Sequence, residues 1–222
     1  MDYPTQGDTS LCGSAAFFYC LQMDRPDVYA QAARELRRHG RTKIGNLNIV
    51  PSEGCRHPKG SFYRSDGSLR VSGLDWMTLA GLRDSENYVM RYDAVDDKAA
   101  GITTWGKLSQ WFEKAGYQKV FDNTGLSHIN QHDVGIFNDY VRNGYWVVTL
   151  IAAGMLGDEY LPESSFKNHW VVWNGMVTGD ANSNVSLKLF SWGEVNNQVK
   201  PNKTLAYFTR HVFGGLVFKP ME

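Results

Sequence analysis

Residues 6–22 read QGDTSLCGSAAFFYCLQ. From Leu11 onward the run is apolar on nearly every face, and a helix of that kind has to be buried all round. The stretch therefore predicts a central helix over residues 11–22, entered through a turn of glycine and small polar residues. A cysteine sits at its first turn. Backbone N–H groups left unpaired at a helix start, and the positive end of the helix dipole, favour a thiolate over a thiol. Cys12 is thus a candidate nucleophile. Cys20, two turns further on among Phe17, Phe18, Tyr19 and Leu21, reads as an inert packed thiol.

Composition narrows what such a helix serves. The chain has 222 residues, 42% hydrophobic and 13% aromatic, enough to bury the core of one large domain or two small lobes. Lys+Arg and Asp+Glu both number 23, so the net charge of zero carries no electrostatic footprint of a nucleic-acid partner or a polybasic membrane patch. No basic stretch leads into an apolar segment at the start, and no apolar run reaches the roughly 18 residues of a spanning helix. The reading is a chain without a classical signal peptide and without membrane insertion. Three cysteines, Cys12, Cys20 and Cys55, cannot all pair, and their spacings fit neither a zinc site nor a CxxC redox motif. That favours a reducing compartment or a thiol kept for chemistry. A functional cysteine only twelve residues from the start is expected of a domain cut from a longer chain or of a processed end.

Working outward, DRPDVYAQAARELRRHG (24–40) spaces Val28, Ala32 and Leu36 along one face, with Pro26 in the first turn and Gly40 as terminator. It predicts an amphipathic surface helix. Residues 42–72 carry Gly, Pro, Ser and charge without clear period and read as an irregular, partly stranded excursion. Cys55 and His57 fall there, on an expected loop. Helices follow at DWMTLAGLRDSEN (75–87), TWGKLSQWFEKAG (104–116) and HDVGIFNDYVRNG (132–144). From Tyr145 the pattern turns to strands: YWVVTLIAA, NHWVVWNGMV, VSLKLFSWG and HVFGGLVFKP, each rich in β-branched and aromatic residues. Helices followed by consecutive strands predict an α+β fold, a single domain over 1–222 with a mainly helical lobe (1–144) and a mainly β lobe (145–222).

A cysteine nucleophile needs a base, which is distant in sequence and held on rigid structure. His169, entering the apolar run NHWVV, is the best placed. His128 and His132 are four apart, but no third ligand completes a metal set, and capping or a solvated loop explains them. His39 ends a helix, where the dipole favours a cation. His57 and His211 carry no argument. No cofactor is called for.

The segment QGDTSLCGSAAF resembles the nucleophile segment of papain-like cysteine peptidases, in which a glutamine precedes the catalytic cysteine with five residues between. Gln6 and Cys12 have that spacing. The spacing selects Cys12, where an alternative register onto the family's CGSCW would place Ala15 at the nucleophile. NHWVVWNG is similar to the family's histidine strand and FSWGE to its NSWG segment. The resemblance covers the two ends of the chain and leaves the middle unmatched. It implies a papain-like fold, Cys12 as nucleophile, His169 as base, and an oxyanion hole made by the Gln6 amide and the Cys12 backbone N–H. The family's third residue is an asparagine or aspartate that orients the imidazole. Laying FSWG on NSWG puts Phe190 there, which accepts no hydrogen bond. Ser191 beside it does, and Asn174, Asp180 and Asn182 are further polar candidates. Trp192 would match the tryptophan that shields the histidine.

The resemblance implies hydrolysis of a peptide or amide bond through a thioester. Glutamine deamidation, acyl transfer, or a catalytically inactive binding module on the same fold are the alternatives. Stripped-down domains with LCG near the start and HWVV before a WG strand look like bacterial secreted toxin or effector domains, including those delivered by type VI secretion. The short lead before Cys12 leaves no room for the propeptide of digestive papain-type enzymes. The implied partners are a protein or peptide substrate, peptidoglycan peptides among them, and an immunity protein. The implied destination is a target cell, reached by secretion or translocation without a classical signal peptide, or otherwise the cytoplasm.

Overall fold

The computed structural model describes residues 2–86, 94–95, 103–158, 166–179, 182, 184–200 and 202–221. The chain divides into two compact units, Met1–Tyr117 with Met221–Glu222, and Gln118–Pro220.

The first unit is helical and is organised by α1 (Cys12–Asp24), in which every residue from Cys12 to Gln22 is buried. Uniform burial is what an all-round apolar sequence requires. By contrast α2 (Pro26–His39) buries only Ala32 and Leu36, with proline in its first turn and Gly40, at φ 65°, closing it in the left-handed conformation. The excursion after it begins as a short antiparallel hairpin, β1 (Thr42–Ile44) with β2 (Leu47–Ile49), in which buried and exposed residues alternate. Next comes one turn of helix, α3 (Glu53–Arg56), capped by Ser52 Oγ, which accepts from the Cys55 N–H. Cys55 is therefore buried on a helix, at 2% exposure, and not on an open loop as expected.

A longer helical segment follows in three consecutive pieces: α4 (Gly73–Asp75), a π-helical turn (Trp76–Ala80) and α5 (Gly81–Ser85). It starts two residues before the predicted helix because Ser72 caps it, accepting from the Asp75 N–H while its hydroxyl donates to Asp75 Oδ2. The last helix of the unit, α6 (Trp105–Ala115), is capped by Thr104 and terminated by Gly116. It buries Leu108, Trp111, Phe112 and Ala115, the face that periodicity selects. Phe112 meets Phe17 of α1 edge to face at 5.2 Å.

The second unit is built on a six-stranded sheet. Its strands are β3 (Gln118–Asp122), β4 (Trp146–Ile151), β5 (His169–Trp173), β6 (Lys188–Ser191), β7 (Glu194–Asn197) and β8 (Val212–Lys219). The spatial order is β3-β8-β4-β5-β6-β7, and all five pairings are antiparallel. Two helices, α7 (Gln131–Arg142) and α8 (Leu205–Arg210), belong to this unit. The architecture is α+β, with helices and antiparallel sheets.

Strand composition changes at residue 145, but the second compact unit begins at Gln118. The reason is packing: β3 pairs with β8, and α7 sends Val134 and Phe137 into the core formed with Val147, Val171, Trp173 and Val217. A capping box between Asn130 and Asp133 starts α7 where Asn130 stands in the sequence. Among the described residues no helix is long and apolar enough to cross a membrane.

Phe137 is fully buried and meets both Phe121 and Trp173 edge to face. Phe137→Ala should destabilise the second unit by about 3–5 kcal/mol through lost burial and an unfilled cavity. Denaturant unfolding followed by tryptophan fluorescence measures it; a loss below about 1 kcal/mol would show that α7 contributes little to this core.

Candidate functional site

Gln6 and Cys12 belong to the first unit, His169 and Ser191 to the second. Each pair is held by its own local structure.

In the first unit the turn QGDT is a polar clasp. The Thr9 N–H and hydroxyl both donate to the Gln6 carbonyl, at 3.1 and 2.6 Å, and the Gln6 amide returns a hydrogen bond to the Thr9 carbonyl at 2.8 Å. Gln6 and Thr9 are both buried. Gly7 makes this possible: it has φ +57°, and a Cβ there would fall 1.7 Å from the Arg70 carbonyl oxygen. Asp8 pairs with Arg64 at 3.3 Å and Arg70 at 3.6 Å, tying the turn to the rest of the unit. The clasp uses one of the two Gln6 amide hydrogens, so the side chain is oriented while retaining a donor.

Cys12 opens α1 and is 7% exposed. Leu11, the residue before it, provides no side-chain cap, and the first turn contains no acidic residue. No carboxylate of that turn therefore competes with a sulfur anion for the positive end of the helix. None of the three cysteines is in a disulfide. Cys20 is fully buried, and burial together with the nearby Asp24 charge pushes its thiol pKa well up.

In the second unit His169 is the first residue of β5, 3% exposed. Its Nε2 lies 2.6 Å from Ser191 Oγ. Sheet register explains the meeting: Val172 pairs with Phe190 and Trp173 with Leu189, which extends to place Ser191 opposite Val171. Ser191 and His169 are then diagonal neighbours on one face, within reach of each other. Ser191 is itself held, its carbonyl accepting from the Gln198 side-chain amide at 3.2 Å. The hydrogen bond commits Nε2 and leaves Nδ1 as the other ring nitrogen.

Trp192 covers this ring. The two ring systems stack at 4.4 Å and 16°. Ser191 pairs with Glu194, so Trp192-Gly193 is a two-residue hairpin loop, with φ of 49° and 78°. Two positive φ values are the mark of a type I′ turn, which favours Asn-Gly and disfavours a bulky first residue. A tryptophan held there is strained, and the strained turn is what sets the indole on the imidazole. Burial drives the His169 pKa down from 6.5 to about 4. The ring is neutral at pH 7.

The other expected orienters fare differently. Asn174 is five residues beyond His169 along the same strand direction, roughly 16 Å away at strand rise, and its N–H donates to the Lys188 carbonyl. Asn182 is exposed, and Asp180 lies outside the described residues. Phe190 is buried in β6. His128 precedes α7 and contacts Ser127 at 3.2 Å, while His132 sits in the helix's first turn with its N–H on the Asn130 cap. Among the described residues no group of three or more His, Cys, Asp or Glu is placed to hold a metal ion. Two contributors escaped the sequence reading. Thr9 looked like one more small turn residue, and Gln198, seven residues beyond Ser191, carries no sequence signal.

No protein-family model matches the chain, and no curated protein matches it significantly.

The depressed His169 pKa makes stability pH-dependent with a definite sign. Between pH 6.5 and about 4 the unfolded chain takes up a proton that the folded chain refuses, so the full stability present above 6.5 is lost as pH falls through that window, by roughly 3 kcal/mol. Denaturant unfolding at both ends of the window should show a His169→Asn variant losing that much less than the parent; equal losses would mean that His169 is not buried as a neutral ring. A second variant separates the turn from its cargo. Trp192→Asn should relieve about 1 kcal/mol of turn strain while uncovering the imidazole, so that its NMR-detected pKa climbs from about 4 back toward 6.5. An unmoved pKa would show that Trp192 does not desolvate the ring.

Proposed function

We propose that the chain is a papain-like cysteine hydrolase in which Cys12 attacks the acyl carbon of a peptide or amide bond and His169 carries the proton. The observation that supports this best is the Ser191 hydroxyl 2.6 Å from His169 Nε2 beneath the stacked Trp192: the shield stands where the resemblance calls for it, and the orienter one residue beyond the position it names. Ser191 acts in place of the family's asparagine or aspartate.

His169 Nδ1 accepts the Cys12 thiol proton as sulfur bonds to the acyl carbon. The tetrahedral oxyanion is met by the remaining Gln6 amide hydrogen and the Cys12 N–H. The carbon–nitrogen bond then breaks, and the imidazolium returns its proton to the leaving amine. Water, deprotonated by the same ring, hydrolyses the thioester and frees the carboxylate product and the thiol. A ring that resists protonation near pH 7 starts this cycle as the thiol–imidazole pair, not as an ion pair. Proton transfer and attack then proceed together.

The substrate is a protein or peptide, with cell-wall peptides in range, and the biological role is that of a bacterial toxin or effector delivered to another cell and restrained by an immunity protein. Deamidation of glutamine and acyl transfer use the same thioester and differ in what enters and what resolves it. A binding module without catalysis on the same fold is the alternative that the missing asparagine or aspartate makes possible.

The thiol decides between them. Substoichiometric iodoacetamide, with labelling mapped by mass spectrometry, should mark Cys12 at least about tenfold faster than Cys20 or Cys55, and His169→Ala should remove that selectivity. Even labelling of all three cysteines, or selectivity that survives His169→Ala, would leave the binding-module reading.

A further inference from the structure

The first unit holds a cavity of about 510 Å³ between the last turn of α2, α3 and the π-helical turn, whose lining includes neither Gln6 nor Cys12. That volume suits a small organic molecule. Its floor is apolar. Trp76 is buried, and its indole is fixed by an Nε1–H donated to the Cys55 carbonyl at 2.8 Å. Phe62 and Met77 are half-buried beside it.

The wall is cationic. Arg37, Arg38 and His39 come from the end of α2, Arg56 and His57 from α3, and the lining contains no carboxylate. Glu53, outside the lining, pairs with Arg56 and, at 3.1 Å, with His57. Arg37 and Arg38 are exposed and make no ion pair among the described residues. Positive charge at a helix C-terminus complements the dipole, which accounts for basic residues ending α2. Arg56 and His57 end α3 in the same way, but the dipole does not account for two basic helix ends lining one apolar floor. Trp76 and Met77 also come from a π-helical turn, a distortion that is frequent at functional sites.

We propose that this cavity binds a small organic anion with a ring-sized apolar body and a phosphate-like head group. The body lies on Phe62, Trp76 and Met77; the head group is held by Arg37, Arg38 and Arg56, whose planar guanidinium forks match phosphate oxygens. The site is independent of the thiol chemistry proposed above.

The test is calorimetric titration of the full chain with phenyl phosphate, inorganic phosphate and benzyl alcohol. Phenyl phosphate should bind one to one with Kd below about 1 mM, and each half-ligand at least about tenfold more weakly. The double variant Arg37→Glu/Arg38→Glu should lose at least about tenfold in affinity with an unchanged thermal melt, since both side chains are exposed. Phe62→Ala should weaken phenyl phosphate while leaving inorganic phosphate as it was. Should the glutamate variant melt early, Arg37→Gln/Arg38→Gln replaces it with the same expectation. Absence of phenyl phosphate binding, inorganic phosphate binding equally well, or indifference to the arginine variants would overturn the proposal.

Discussion

The hydrogen bond between His169 Nε2 and Ser191 Oγ organises the corner of the second unit in which His169 is buried. It requires two adjacent strands in one particular register, because a slip of one residue would turn Ser191 to the opposite face. It requires Ser191 to be the last residue before a two-residue loop, so that the next side chain, Trp192, falls over the ring. It also requires that loop to accept a tryptophan at positive φ, a conformation unfavourable for a bulky residue. The strain is tolerated because the flanking strands β6 and β7 pair on either side and over-determine the turn.

The first unit solves a different problem. A helix buried from Cys12 to Gln22 has no polar face there from which to anchor its N-terminus, and α1 has no side-chain cap. The clasp just upstream supplies order there instead: Gln6 and Thr9 satisfy each other's polar groups, Gly7 lets the chain pass against the Arg70 carbonyl, and Asp8 is held by two arginines. Residues 6 to 12 thus approach the helix along a fixed path, and the first turn itself contains no acidic residue.

What was legible in the sequence followed from strong, local signals. The uniform apolarity of residues 11–22 located α1, and the i, i+4 spacing in residues 24–40 located α2 and its glycine stop. Ser191 was legible as the hydroxyl beside a position where Phe190 has nothing to offer. Elements with weak signals were not. β3 is a five-residue edge strand, β7 reads EVNN with one apolar residue, and α8 has six residues, too few to show a period. Their existence follows from pairing partners far along the chain. The π-helical turn and the cavity beside it lay equally out of reach, since a widened turn has no sequence pattern of its own, and a cavity wall of Arg37, Arg38 and Arg56 is assembled from separate elements.

A hydroxyl in place of a carboxylate beside the imidazole has an electrostatic consequence that burial makes larger. An anionic partner would stabilise the imidazolium directly, and that stabilisation would be greatest where water is excluded. Ser191 adds no charge, so desolvation acts alone and the ring stays neutral. Orientation and charge stabilisation, which one anionic residue supplies together, are here separated: Ser191 and Trp192 fix the ring and offer its proton only a hydroxyl oxygen and an indole face, with no negative charge. On the proposed mechanism a thiol paired with such a ring does not rest as a thiolate held by an imidazolium: the imidazole takes the proton only as sulfur attacks, and the helix terminus stabilises the anion as it forms. The uncapped, acid-free first turn of α1 is suited to that demand.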